Sequence, residues 1–316
     1  MCIFLRPVIS VNDTQIFSRL SGTGTQFLAY QMSYESSGQN AMILPLPVKQ
    51  PSNNESLRFI DLKAYEGFFD DLDDGFPFYS PAVSIGCSLG SFDKAVLDAL
   101  KVFEVGNYIA SFVPTIADFD RLDPEFRLPN EIWESIPGYE KFGFAVFQLA
   151  AGALKPHPMA LEFQSASDNL FFPTIHIHDG EIHESERFDH VLYMQHAGLD
   201  SKVHGYKNSN VEDKSTGLVR SKYKASGFCK LDKSAGLIDG KLFLHRKVLR
   251  GNLPNQDMTF AFAGDPLKPS FNFRLYMPYI PWLVLFAGIG WFFNRRSKIK
   301  KMRDSKSNPS GTESTE

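Results

Sequence analysis

The densest group of chemistry-bearing side chains lies in FFPTIHIHDGEIHESERFDH, residues 171–190. Imidazole and carboxylate together suit zinc and other divalent transition metals. To share one ion, the side chains must share a face. Asp179-Gly180 between two alternating runs has the composition of a two-residue hairpin turn. Such a turn sets a register: His178 opposite Glu181, Ile177 opposite Ile182, His176 opposite His183. Alternation then puts His176, His178, Glu181 and His183 on one face, and Ile175, Ile177 and Ile182 on the other. Directly opposed Cβ atoms are about 4.5–5.5 Å apart, close enough for two imidazoles to bind one ion. Asp189 and His190 lie one strand later, as further ligands or as partners behind the ligands. The expected metal set is His176, His178, Glu181, His183 and His190, around a divalent transition metal such as zinc. Two plainer readings stand beside it. One face of an antiparallel hairpin is usually wet, and clustered histidines can titrate with pH without holding metal.

Cys2 is the second candidate. Removal of Met1 would expose a cysteine with a free α-amine, the arrangement of an N-terminal nucleophile. The amine, with a pKa near ~7.7–8.0, then serves as base for the thiol. This is the catalytic expectation, an N-terminal cysteine hydrolase. The alternative is a small apolar residue opening a strand. The three cysteines, Cys2, Cys87 and Cys229, are sparse and odd in number, so they form no disulfide framework, and no CxxC pair offers a thiolate zinc site. The carboxylates from Glu55 to Asp74 lack the order of a calcium loop and fit a solvated helix end. Walker, dinucleotide-glycine, GxSxG and HExxH patterns are absent.

The elements that must position these groups are mostly strands. In FLAYQMSY (27–34), Leu28, Tyr30, Met32 and Tyr34 alternate onto one face. CIFLRPVI, TQIFSRL, LRFIDL, KFGFAVFQLA, MALEFQ, LFFPTIHIH, FDHVLYMQ and DMTFAFAG predict further strands. AMILPLPV carries Pro45 and Pro47, so it is an edge strand or a buried extended segment. AYEGFFDDLD (64–73) puts Tyr65, Phe68, Phe69 and Leu72 on one helical stripe. TIADFDRL and PNEIWESI predict short helices. DKAVLDALKVF fits a helix or a strand. GLI-DG-KLFLHRKVL predicts a second hairpin, at Asp239-Gly240. Most of the 29 phenylalanines fall in these segments and belong to the core.

The chain has 316 residues and a net charge of −3, with 43% hydrophobic and 22% charged residues. These values exclude a disordered polymer, a collagen-like fibre and a polytopic membrane protein. The charge is strongly partitioned: −15 over residues 1–200, +8 over 201–251, zero over 252–293 and +4 over 294–316. LYMPYIPWLVLFAGIGWFF (275–293) has 19 residues and no charge. As a helix it would span roughly 28 Å, near the hydrocarbon thickness of a bilayer. Tyr279, Trp282 and Trp291 would mark its interfaces, and NRRSKIKKMR follows as a basic stop. Pro278 and Pro281 interrupt the first turns, which leaves an interfacial or re-entrant segment, or a buried helix, as alternatives.

The span predicts membrane lipids as partners through residues 275–303. The basic segment 201–251 would face an anionic surface, and it lacks the interleaved aromatics of a nucleic-acid site. Positive-inside logic places the tail in the cytoplasm, whereas the lack of an export signal at the N-terminus favours a cytoplasmic body.

The start MCIF and the blocks AMILPLPV, LRFIDLKAYEGFFDDLDDGFP and FFPTIHIHDGEIHESERFDHVLY resemble an uncharacterised bacterial protein family over roughly residues 1–195. A looser likeness is to bacterial β-rich domains of unknown function that end in a C-terminal membrane helix. The resemblance implies a bacterial origin and carries no activity or site residue. The overall expectation is an α+β, β-rich fold: sandwich-like antiparallel sheets with a few short helices, plus one C-terminal transmembrane helix. The body would cover 1–265, with a possible division into two subdomains near 200. The anchor would cover 275–293, and a basic, largely disordered tail 294–316. The functional expectation is a membrane-anchored binding or structural module, with metal binding and the cysteine hydrolase as alternatives.

Overall fold

The computed structural model describes residues 3–76, 100–122, 127–128, 132–133, 136, 138–203, 212–214 and 216–261. Cys2, the 93–99 part of DKAVLDALKVF, much of PNEIWESI, the 275–293 segment and the tail lie outside the described residues. Among the described residues no helix is long and apolar enough to cross a membrane.

The fold is β-rich with a few short helices. One sheet has five strands in the order β1 (Ile3–Phe4), β4 (Asn40–Leu46), β8 (Gly143–Leu149), β7 (Tyr108–Val113) and β6 (Val102–Val105). All its pairings are antiparallel. The larger sheet runs β13 (Val219–Lys224), β14 (Phe243–Pro254), β12 (Ser185–Gln195), β2 (Ser10–Leu20), β3 (Thr25–Ser36), β10 (Met159–Gln164) and β5 (Leu57–Asp61). A short β9 (Gly152–Leu154) pairs with the end of β3. β11 (Leu170–Phe172) and β15 (Met258–Phe260) form a separate two-stranded ribbon. Strands from both sides of residue 200 share the larger sheet. One of its pairings is parallel, Val191–Gln195 of β12 against Gln15–Arg19 of β2.

Alternation explains the layering. Leu28, Tyr30, Met32 and Tyr34 of β3 meet Met42 and Leu44 of β4 and Phe147 of β8 in the core between the sheets. On the other side of the larger sheet, Phe17, Ala29, Val191 and Tyr193 are covered by Phe68, Phe69 and Leu72 of helix α1 (Phe68–Asp74). On the far side of the smaller sheet, Ile43, Val113, Phe144 and Val146 pack with Phe119, Trp133, Ile175 and Ile177. Both faces of each sheet are therefore buried, and β4 is buried at every position. β1 pairs only with Met42 and Ile43, so Pro45 removes no hydrogen bond on that side.

Neither Asp-Gly pair closes the expected hairpin. Ile177 bridges Ile3 in parallel, and the Phe4 amide donates to the Ile177 carbonyl at 2.8 Å. The other edge of this segment is held by side chains. Asp257 Oδ1 accepts from the Thr174 and Ile175 amides at 2.8 and 3.0 Å, and Asn255 Oδ1 accepts from His176 N at 2.7 Å. With both edges taken, residues 182–184 cannot pair with 175–177, and 178–184 becomes a loop. Asp179 still turns the chain there, its Oδ1 accepting from Glu181 N at 3.0 Å, and Gly180 takes φ 89°. Asp239 does the same with Lys241 N at 2.9 Å, but β14 then pairs with β13 and not with 236–238.

Candidate metal centre

The site forms where the 173–178 segment passes the start of β12. On β12, Glu186, Phe188 and His190 alternate onto one face. The facing assignment expected for 175–182 holds although the register does not. Ile175 and Ile177 enter the far core of the smaller sheet, and Ile182 packs against it. His176 and His178 turn the other way.

His176 and His190 are fully buried. Their rings stack with centroids 5.0 Å apart and 16° between planes, and Phe188 lies 4.3 Å from the His176 ring. The two Nε2 atoms are 3.3 Å apart, so one proton is shared along that line. His190 Nδ1 accepts from the Asp189 amide at 3.3 Å and lies 3.6 Å from Asp189 Oδ1. His176 Nδ1 and His178 Nδ1 are both buried and have no hydrogen-bond partner. One ligand atom from each of His176, His178 and Glu186 lies within 4.8 Å of the others.

The tautomers give this arrangement its meaning. If His190 donates from Nε2, the His176 proton sits on Nδ1 as an unpartnered buried N–H, which costs about 1–3 kcal/mol. If His176 donates, its Nδ1 presents a bare lone pair toward the cluster. The Asp189 amide on His190 Nδ1 matches the first state; a cation at His176 Nδ1 needs the second, in which His190 Nδ1–H turns to Asp189 Oδ1, 3.6 Å away. Burial, reinforced by the neighbouring imidazoles, holds His176 well below the usual histidine pKa, and burial does the same for His190. Both rings are thus neutral near pH 7, the form that ligates metal. Burial also raises the Asp189 carboxyl, whose Oδ2 accepts from Asp13 N at 3.0 Å.

The expected set is therefore redistributed. His176 and His178 meet as expected. Glu186 takes the place assigned to Glu181, which is exposed in the loop. His190 lies behind His176. His183 sits at the rim, with Nε2 2.8 Å from Asp179 Oδ2 and 3.9 Å from Glu186 Oε1. The readable signal for Glu186 was its i, i+4 spacing to His190 on a period-2 strand. Asn255 had no such signal. Its side chain donates to the carbonyls of His176 and His183 at 2.9 and 3.0 Å, which ties both backbones to one residue.

No family model matches the chain, and no curated protein matches it. Among solved structures, the crystal structure of baculovirus P35 is similar at 13% identity and a TM-score of 0.43, covering 84% of this chain and 100% of that one. The caspase-8/P35 complex is similar at 13% identity and a TM-score of 0.42, covering 78% of this chain and 95% of that one. Likeness at this level assigns neither a fold family nor an activity to the chain.

Proposed function

We propose that this protein is a metal-binding β-rich body carried on a membrane anchor. The site is His176, His178 and Glu186, and the ion a divalent transition metal of the zinc type. One observation carries the reading: two buried imidazole nitrogens without partners, His176 Nδ1 and His178 Nδ1, in a group whose ligand atoms lie within 4.8 Å of one another beside a carboxylate. Neither nitrogen has another partner to give up, and both belong to the clustered group; His245 Nδ1 is also unpartnered but lies in no such cluster among the described residues. Two imidazoles and a carboxylate match the zinc donor set. The exposed 179–181 loop gives an approach from solvent. Isothermal titration of the full chain with Zn²⁺ tests this. One ion bound per chain is expected, with binding lost in His176→Ala. Equal binding by the two proteins would sink the reading.

The anchor rests on the uncharged 275–293 segment and the basic run after it. Membrane flotation of the full chain against a chain ending at residue 274 tests it. The full chain should float and the shorter one should not. A floating short chain would move membrane attachment to the body, where the basic stretch 201–251 is the next place to look.

A further inference from the structure

We propose that His183 supplies the fourth ligand, leaving Asp179 to close the site as a tetrahedral His176–His178–His183–Glu186 centre. The inference rests on the metal reading above and extends it.

Three protein ligands leave a tetrahedral ion one position short. In structural sites that position is filled by protein, and in catalytic sites it stays open to water. His183 is the histidine placed to fill it. With metal–ligand distances of about 2.0–2.2 Å, two ligands of a tetrahedral zinc lie roughly 3.3–3.6 Å apart. His183 Nε2 is already 3.9 Å from Glu186 Oε1. Its backbone is pinned by the same asparagine that pins His176, so the two residues are registered to each other before any ion arrives. Its side chain is free to turn, being 42% exposed.

The partner it would give up is a weak one. Asp179 is 47% exposed, and exposed ion pairs contribute little. An arriving ion therefore competes only with the Asp179 carboxylate for His183 Nε2. Asp179 would act as a latch: it parks His183 in the empty state and releases it when the ion enters. A closed centre of this kind holds the 178–184 loop against β12. It also leaves no water on the metal to react.

The test measures Zn²⁺ affinity by chelator competition, and Co²⁺ absorption with and without azide, on full-length protein and three variants. His183→Ala is expected to weaken Zn²⁺ binding at least about tenfold. Its Co²⁺ spectrum should respond to azide, because a position has opened, whereas the parent spectrum should not. Asp179→Ala should bind Zn²⁺ at least as tightly as the parent, with His183 released. His176→Ala should not bind. Parent-like affinity and azide silence in His183→Ala, with His176→Ala inactive, would overturn the His183 assignment and leave the three-ligand site standing. A parent Co²⁺ spectrum that already responds to azide would overturn it too. Parent-like binding in His176→Ala would instead remove the metal reading itself.

Discussion

Two fully buried histidines on neighbouring strands, His190 on β12 and His245 on β14, have opposite kinds of company. His245 Nε2 meets Asp200 Oδ1 at 2.8 Å, and Asp200 Oδ2 accepts from Phe243 N at 3.2 Å. That carboxylate belongs to helix α2 (Ala197–Lys202), so the pair docks a helix on a strand. Next to it Arg246, 6% exposed, meets Asp73 at 3.1 Å, and Tyr193 donates to the same carboxylate at 3.0 Å. His190 instead meets His176, and the two rings share one proton between them. Against a carboxylate the imidazole proton is fixed on the nitrogen that faces the acid, and His245 Nδ1 is left buried without a partner. Against a second imidazole the proton can sit on either ring. The difference separates a histidine whose protonation its partner dictates from a pair whose tautomer a ligand can reset.

The largest expected break is on the carboxylate-paired side. Arg246→Ala leaves Asp73 buried without its cation and should cost about 3–5 kcal/mol in denaturant unfolding. Added Zn²⁺ should restore nothing beyond its own binding contribution. On the other side, Zn²⁺ at about 100 times its dissociation constant should raise stability by about 2.7 kcal/mol. Thermal melts should show this gain in His245→Gln and lose it in His176→Ala. A gain lost in His245→Gln alone would reverse the comparison. Asn255→Ala removes three hydrogen bonds to His176 and His183 and should cost about 2–3 kcal/mol without metal. It should also weaken Zn²⁺ binding, because the two histidine backbones lose their common support.

Acid gives a smaller and graded test. Burial lowers the folded-state pKa of His176 and His190, and also of His157, His196 and His245. Below about pH 6.5 the unfolded chain therefore binds more protons than the folded one. Stability should be fully present above that pH and fall as pH drops through it, by about 1.4 kcal/mol per unit for each such histidine. Melting temperatures between pH 7.5 and 5 would check the slope. Asp200 opposes the shift at His245. Replacing His176 should therefore flatten the slope more than replacing His245.

Local patterning made much of this legible. The period-2 run at 27–34 located a strand and the core face of Leu28, Tyr30, Met32 and Tyr34. The stripe at 64–73 located α1 and its buried Phe68, Phe69 and Leu72. The alternation of 175–178 correctly separated isoleucines from histidines. The partners were not legible. Asp179-Gly180 marks a place where the chain turns, and what lies on each side of a turn depends on competitors for the same edge. Those competitors were Ile3 and the side chains of Asn255 and Asp257, far away in sequence. An asparagine that serves as a strand edge has no sequence period, so the loop at 178–184 could not be seen from one segment. The segment holding the candidate site was legible, and the grouping of His176 and His178 with Glu186 came from the fold.

The parallel contact of β2 with β12 has a consequence for how the protein is made. Asp13 donates its amide to Asp189 across 176 residues of chain. At about 5–20 residues per second of synthesis, β2 waits roughly 10–35 s for its neighbour to leave the ribosome. During that interval β2 and β3 form a ribbon with an open, apolar edge, a template for pairing with the wrong chain. The histidine corner can assemble only after β12 and the Asn255 segment have emerged, so an ion bound there would report that the larger sheet has closed.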